Sequence, residues 1–172
     1  MGDGCDYMSE LITSEYFKST ISECEKRGNR LYINNYIIRR GGWGYSVIND
    51  NIRLAKGKYF VFLSNDDVIK SNHFENYLKI ENTDYDFAFF DTFVEPTKKV
   101  RVPELKEGCI GHSELIIKTD LLKTMPPHTN RYGHDWDLIS NMIQARARYG
   151  KIESEPTYII KGVGDLRSDI ID

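Results

Sequence analysis

The run Tyr59-Phe60-Val61-Phe62-Leu63, closed by Ser64-Asn65-Asp66-Asp67, limits what this chain can fold into more than any other stretch. An uninterrupted apolar run rich in aromatic and β-branched side chains, with Gly57 before it and polar residues after it, predicts a strand buried on both faces. Such strands belong to α/β folds. Two adjacent carboxylates at the carboxyl end of a buried strand are costly unless something neutralises them. A divalent cation does so most simply, and oxygen-only ligands suit Mg²⁺ or Mn²⁺ rather than zinc. Open α/β sheets also take their ligands at that end of the strands. The competing reading is a turn whose Asn and Asp side chains cap the next helix.

The flanking segments supply elements that fit around this strand. Arg39-Arg40-Gly41-Gly42-Trp43-Gly44 permits close backbone approach and feeds the start of a helix predicted from Ser46 to Ala55. A helix start favours anions, and the two arginines beside it could reach a diphosphate. Helical spacing also marks Tyr7 to Arg27, and Asn72 to Ile80 with Phe74, Tyr77 and Leu78 inward. Arg30 to Ile38 and Asp86 to Val94 predict strands, with Val100 to Val102 pairing back as a hairpin. Glu114 to Lys118 predicts another strand. Ile139 to Tyr149 continues a helix that Gly150 ends, and strands follow on either side of Pro156.

In order, Gly41-Gly42, Asn49 on a helix, Ala55-Lys56-Gly57, the apolar strand and Ser64-Asn65-Asp66-Asp67 resemble the family 2 glycosyltransferases of the GT-A fold. The resemblance implies a Rossmann-related, mostly parallel central sheet flanked by helices in a single domain over residues 1–172. Met1-Gly2-Asp3-Gly4-Cys5-Asp6 is similar to the segment ending the family's second strand, so the first βα unit would be lacking. By the same match, Asp3, Arg39, Gly41, Gly42, Asn49, Asn65 and Asp66 serve the sugar nucleotide. Asp66 and Asp67 hold Mn²⁺ or Mg²⁺. Gly133-His134-Asp135-Trp136-Asp137 is similar to the family's Glu-Asp-Trp-Asp-like motif, which makes Asp135 the catalytic base, with His134 where the family has Glu. His112, Ser113, His134 and Trp136 fall on the acceptor side, although Trp136 also suits a core position. Asp137 reads as a capping acid. Ile48 stands where many members carry Arg, and Lys161 or Arg167 stands where the family often has His. His73, beside the acidic turn, is a further ligand candidate, although a His so placed is more often a surface or capping residue.

The implied activity is an inverting, metal-dependent transfer of a sugar from a nucleoside-diphosphate sugar to a glycan or other hydroxyl acceptor. Two alternatives stand beside it: a non-catalytic GT-A-like binding or assembly module, and a nucleotidyltransferase. Net charge is -3, which argues against non-specific nucleic-acid binding. Cys5, Cys24 and Cys109 are odd in number and widely spaced, so no disulfide framework follows. A reducing, cytoplasmic setting is the expectation. No apolar run reaches ~18–20 residues and no signal peptide opens the chain, which leaves contact with a membrane surface and self-association open.

Overall fold

The computed structural model describes residues 2–3, 13–27, 35–36, 45–64, 67–129, 131 and 133–161. The chain divides into two units, Met1–Ile48 and Asn49–Asp172. In the first, strand β1 (Gly2–Asp3) runs parallel to β2 (Asn35–Tyr36), with Gly2 opposite Asn35. Parallel neighbours need a crossover, and the helix Glu15–Lys26 lies between the two strands in sequence. Ser14 opens that helix by accepting the Phe17 N–H at 3.2 Å. The helix Tyr45–Leu54 straddles the boundary between the units and matches the predicted 46–55 segment within a residue.

Two four-stranded sheets build the second unit. One has the order β3 (Tyr59–Val61), β8 (Leu115–Lys118), β5 (Phe87–Phe89), β9 (Tyr149–Lys151). The other has the order β4 (Val68–Ile69), β10 (Tyr158–Ile160), β6 (Thr92–Val94), β7 (Lys99–Arg101). Only β5–β9 and β10–β6 pair in parallel within them. β8 is antiparallel to both β3 and β5, and β10–β4 and β6–β7 are antiparallel too. The mixed α/β class is therefore as expected, whereas a mostly parallel central sheet is not what the described strands form. The cause is β8: it sits between two partners, buried along Leu115, Ile116 and Ile117, and runs against both.

Several local expectations change for identifiable reasons. The 86–94 strand splits after Phe89, and its halves join different sheets. At the break Phe90 turns into the core, and Asp91 pairs with Lys151 Nζ at 3.0 Å. β3 is only partly buried, and Leu63 beyond it is exposed. The helix His73–Leu78 is rotated: Phe74 and Leu78 are exposed, while His73, Asn76 and Tyr77 are buried. Polar bonds set that rotation. His73 Nδ1 lies 2.8 Å from Thr157 Oγ1, and Asn76 Nδ2 donates to Thr157 Oγ1 and to the Glu155 carbonyl, each at 3.3 Å. The final helix, His134–Gln144, stops earlier than expected because Arg146 adopts a left-handed φ of 59°. Gly150 then lies in β9, not at a helix end, where a Cβ would collide with the Tyr85 ring. One core cluster joins Tyr77, Ile80, Ala88, Phe90, Ile116 and Ile152.

Asp86 ties three strand ends together. It accepts from the Arg148 main-chain N–H at 2.9 Å, from Arg148 Nε at 3.2 Å and from Lys118 Nζ at 2.9 Å. The Arg148 hydrogen bond is the chief reason its carboxyl is held far below the usual carboxylate range. A depressed folded-state pKa contributes stability above the unfolded value, ~3.9, and loses it as pH falls through the folded one. Asp86→Asn is expected to cost about 1–3 kcal/mol at neutral pH. In thermal melts the gap to wild type should close as pH drops below about 4; a gap that does not change with pH would refute the electrostatic part.

Candidate functional site

The start of the His134–Gln144 helix gathers the polar chemistry of the second unit. Gly133, at φ 84°, turns the chain into it, a conformation that glycine adopts cheaply. Asp135 and Asp137 occupy the first turn, where the helix dipole favours negative charge, yet their surroundings differ. Asp137 is clamped by Arg131, with Nε at 2.7 Å and a terminal guanidinium nitrogen at 2.5 Å, and the Thr129 hydroxyl adds a bond at 3.3 Å. Arg131 also holds the Asp137 carboxyl below its ordinary pKa. Asp135 is part-exposed and accepts the Trp136 N–H on Oδ1 at 2.8 Å. Its Oδ2 lies 3.7 Å from where a Cβ on Gly111 would stand, so the absence of a side chain at 111 leaves space beside that oxygen.

Across Gly111 stands Glu114, fully buried and not singled out by the sequence reading. Its Oε2 accepts the Gly111 N–H at 2.7 Å, and its Oε1 accepts the Thr92 hydroxyl at 3.1 Å with Arg101 Nε 3.4 Å away. Burial pushes its carboxyl up to about 7, and the charge of Asp135 adds to the push, against the pull of Arg101, Gly111 and Thr92. The available signal was a lone Glu next to the apolar run 115–117, which as a buried residue requires partners.

Three imidazoles meet beside this pair. His112, His128 and His134 each bring a ring nitrogen within 4.8 Å of the others. His128 Nδ1 lies 3.0 Å from His134 Nδ1. Phe62, just past β3, stacks on His112 with ring centroids 4.4 Å apart. Burial is the first cause lowering all three pKa values, to about 4 for His128, so the rings are neutral at physiological pH. His128 lies outside every motif singled out in the sequence. Its anchor is seventy-nine residues away in sequence: Asn49 Nδ2 donates to the His128 carbonyl at 3.0 Å, and Asn49 Oδ1 accepts the His128 N–H at 2.8 Å. Both ends of the Asn49 amide, a residue expected at the nucleotide, are thus engaged by the protein.

The other expected residues divide as follows. Asp67, expected as a metal ligand, has both oxygens engaged: Oδ2 accepts the Tyr158 hydroxyl and Oδ1 the Lys161 N–H, each at 2.9 Å. The Tyr158 oxygen in turn accepts the Ser64 N–H at 3.0 Å. Lys161 Nζ pairs with Glu95 at 2.6 Å. His73 is buried against Thr157 rather than placed as a ligand. Ser113 and Trp136 are part-buried. Asp3 is described only as backbone in β1, and Arg39, Gly41, Gly42, Asn65, Asp66 and Arg167 lie outside the described residues. The structure thus brings His112, His134 and Asp135 to one place and adds His128 and Glu114.

No family model and no curated protein matches the sequence. Solved structures do resemble it. S. aureus TarS 1-349 superposes with a TM-score of 0.62 at 16% identity, covering 90% of this chain and 50% of that one. The fold is glycosyltransferase-like. The same protein in complex with UDP matches at TM-score 0.64 and 15% identity, covering 90% of this chain and 50% of that one. In complex with UDP-GlcNAc it matches at 0.63 and 16%, covering 87% and 47%. This chain therefore spans about half the length of the structures it matches. At such identity the likeness concerns the fold and does not single out family 2. Among the described residues, no helix is long and apolar enough to cross a membrane.

Proposed function

We propose that the chain transfers a sugar from a nucleoside-diphosphate sugar to an acceptor hydroxyl, with inversion, using Asp135 as the base. One observation carries the reading furthest. Phe62, four residues before Asp66, packs on His112, next to the helix start that holds Asp135. The end of the apolar run and the helix start that holds Asp135 thus meet at one cluster. The glycosyltransferase-like fold supports the same reading, and the UDP and UDP-GlcNAc complexes of TarS make uridine-diphosphate sugars the first donors to try.

In this reading Asp135 takes the proton of the acceptor hydroxyl as its oxygen bonds to the anomeric carbon. The bond from that carbon to the diphosphate breaks, and its electron pair leaves with the nucleoside diphosphate. A Mn²⁺ or Mg²⁺ at the acidic turn, when bound, offsets charge on that leaving group. Asp66 would hold it, beside Asp67, whose carboxylate is oriented by Tyr158 and Lys161. Ser113 and Trp136 remain the acceptor-side candidates; His112 and His134 turn ring nitrogens toward His128. A second reading, a glycosyltransferase-like binding module without turnover, is favoured by the engagement of Asn49 and Asp67 within the protein.

Incubation with Mn²⁺, a panel of sugar nucleotides and simple hydroxyl acceptors, followed by assay of released nucleoside diphosphate, separates the two. Release that depends on the acceptor supports transfer. Binding heat without release supports the module, and neither heat nor release removes both readings.

A further inference from the structure

We infer that His112, His128 and His134 form a binding site for a borderline transition-metal ion such as Zn²⁺, separate in chemistry from the acidic turn. The inference stands whether or not the chain transfers sugars. Three imidazoles and no thiolate make a ligand set that suits Zn²⁺, Cu²⁺ or Ni²⁺, whereas Mg²⁺ and Mn²⁺ prefer oxygen. A tetrahedral ion with Zn–N bonds of ~2.0–2.1 Å separates its nitrogen ligands by roughly 3.3 Å. One nitrogen from each ring lies within 4.8 Å of the others, so ring rotations close the site.

Two independent features point to a missing partner. The Nε2 atoms of His112 and His128 are buried without a hydrogen-bond partner, and His128 as a residue is 6% exposed. A neutral imidazole has one donor and one acceptor nitrogen to satisfy, and leaving either unpaired away from water is costly. The rings are also held in place, as metal ligands are by the groups behind them. Asn49 fixes the His128 main chain through both amide ends, and Phe62 packs flat against His112. His134 is set by the helix start that follows Gly133. Packing alone would account for one aromatic neighbour of this kind. It does not account for three converging nitrogens on three different segments.

The test uses the full chain with any affinity tag removed, stripped with a chelator and then titrated. Zn²⁺ binding is followed by calorimetry and Co²⁺ binding by its visible absorption, which reports nitrogen-rich tetrahedral geometry. The expected result is one ion per chain and a rise in melting temperature with Zn²⁺. His112→Ala and His134→Ala should each weaken binding by at least about tenfold, the lower bound for disturbing a metal's surroundings, with folding checked by circular dichroism. Asp66→Asn should bind Zn²⁺ as wild type does. Folded, stripped wild type that takes up neither Zn²⁺ nor Co²⁺ overturns the inference, and this result does not depend on any variant folding. Undiminished Zn²⁺ binding by the folded His112→Ala/His134→Ala double variant overturns it as well.

Discussion

Asp135→Asn is expected to lower sugar transfer by about 10²–10⁴-fold, the range for loss of a positioned general base. The substitution keeps the oxygen that accepts the Trp136 N–H, so the helix start should survive. In the proposed role it removes the proton acceptor and little else. Donor binding, measured by calorimetry, should therefore stay close to wild type while release of nucleoside diphosphate falls. If turnover persists at the wild-type rate, Asp135 is not the base. Should donor binding and turnover collapse together, the residue is structural and the catalytic assignment fails equally.

The second large effect belongs to Glu114. Leaving a buried hydrogen-bonding group without its partner costs about 1–3 kcal/mol for each group. Here Glu114→Ala strands Arg101, whose side chain is only 16% exposed, together with the Thr92 hydroxyl and the Gly111 N–H. For a chain of this length the melting point should fall by roughly 10 °C. The pH dependence has a definite sign. Burial raises this carboxyl from 4.5 to about 7 in the folded chain. A raised pKa means that its contribution is complete below 4.5 and is lost as pH climbs through 7. The wild-type advantage over Glu114→Ala should thus narrow between about pH 5 and pH 8. His128 works the other way: held at about 4, it contributes above 6.5 and loses that contribution as pH falls. A Glu114→Ala deficit that widens with rising pH would show that the buried carboxyl is ionised and favourable.

Local pattern made some of this visible in the sequence and hid the rest. The Tyr45–Leu54 helix, the β6–β7 hairpin and the helix opening at His134 follow from nearby residues and lie within one or two positions of expectation. The break at Phe90-Asp91 does not, because both halves of the 86–94 run are equally apolar and only their partners differ. The 73–78 helix buries the face that reaches Thr157, a residue more than eighty positions away. At the candidate site, short motifs singled out Asp135 as a base and His112 and His134 as acceptor-side residues. His128 and Glu114 were not singled out, since their roles depend on Asn49, Thr92 and Arg101, which meet them only after folding.

The bonds around Asp67 link two distant stretches of chain. Tyr158 bridges the main chain of Ser64 and the Asp67 carboxylate, and the other oxygen of that carboxylate receives the Lys161 N–H. A ligand that pulls Asp67 out of this arrangement loosens both stretches. A ligand taken by Asp67 would therefore also free the main chain at 161, whereas an ion held by Asp66 alone would leave that tie between the two stretches in place.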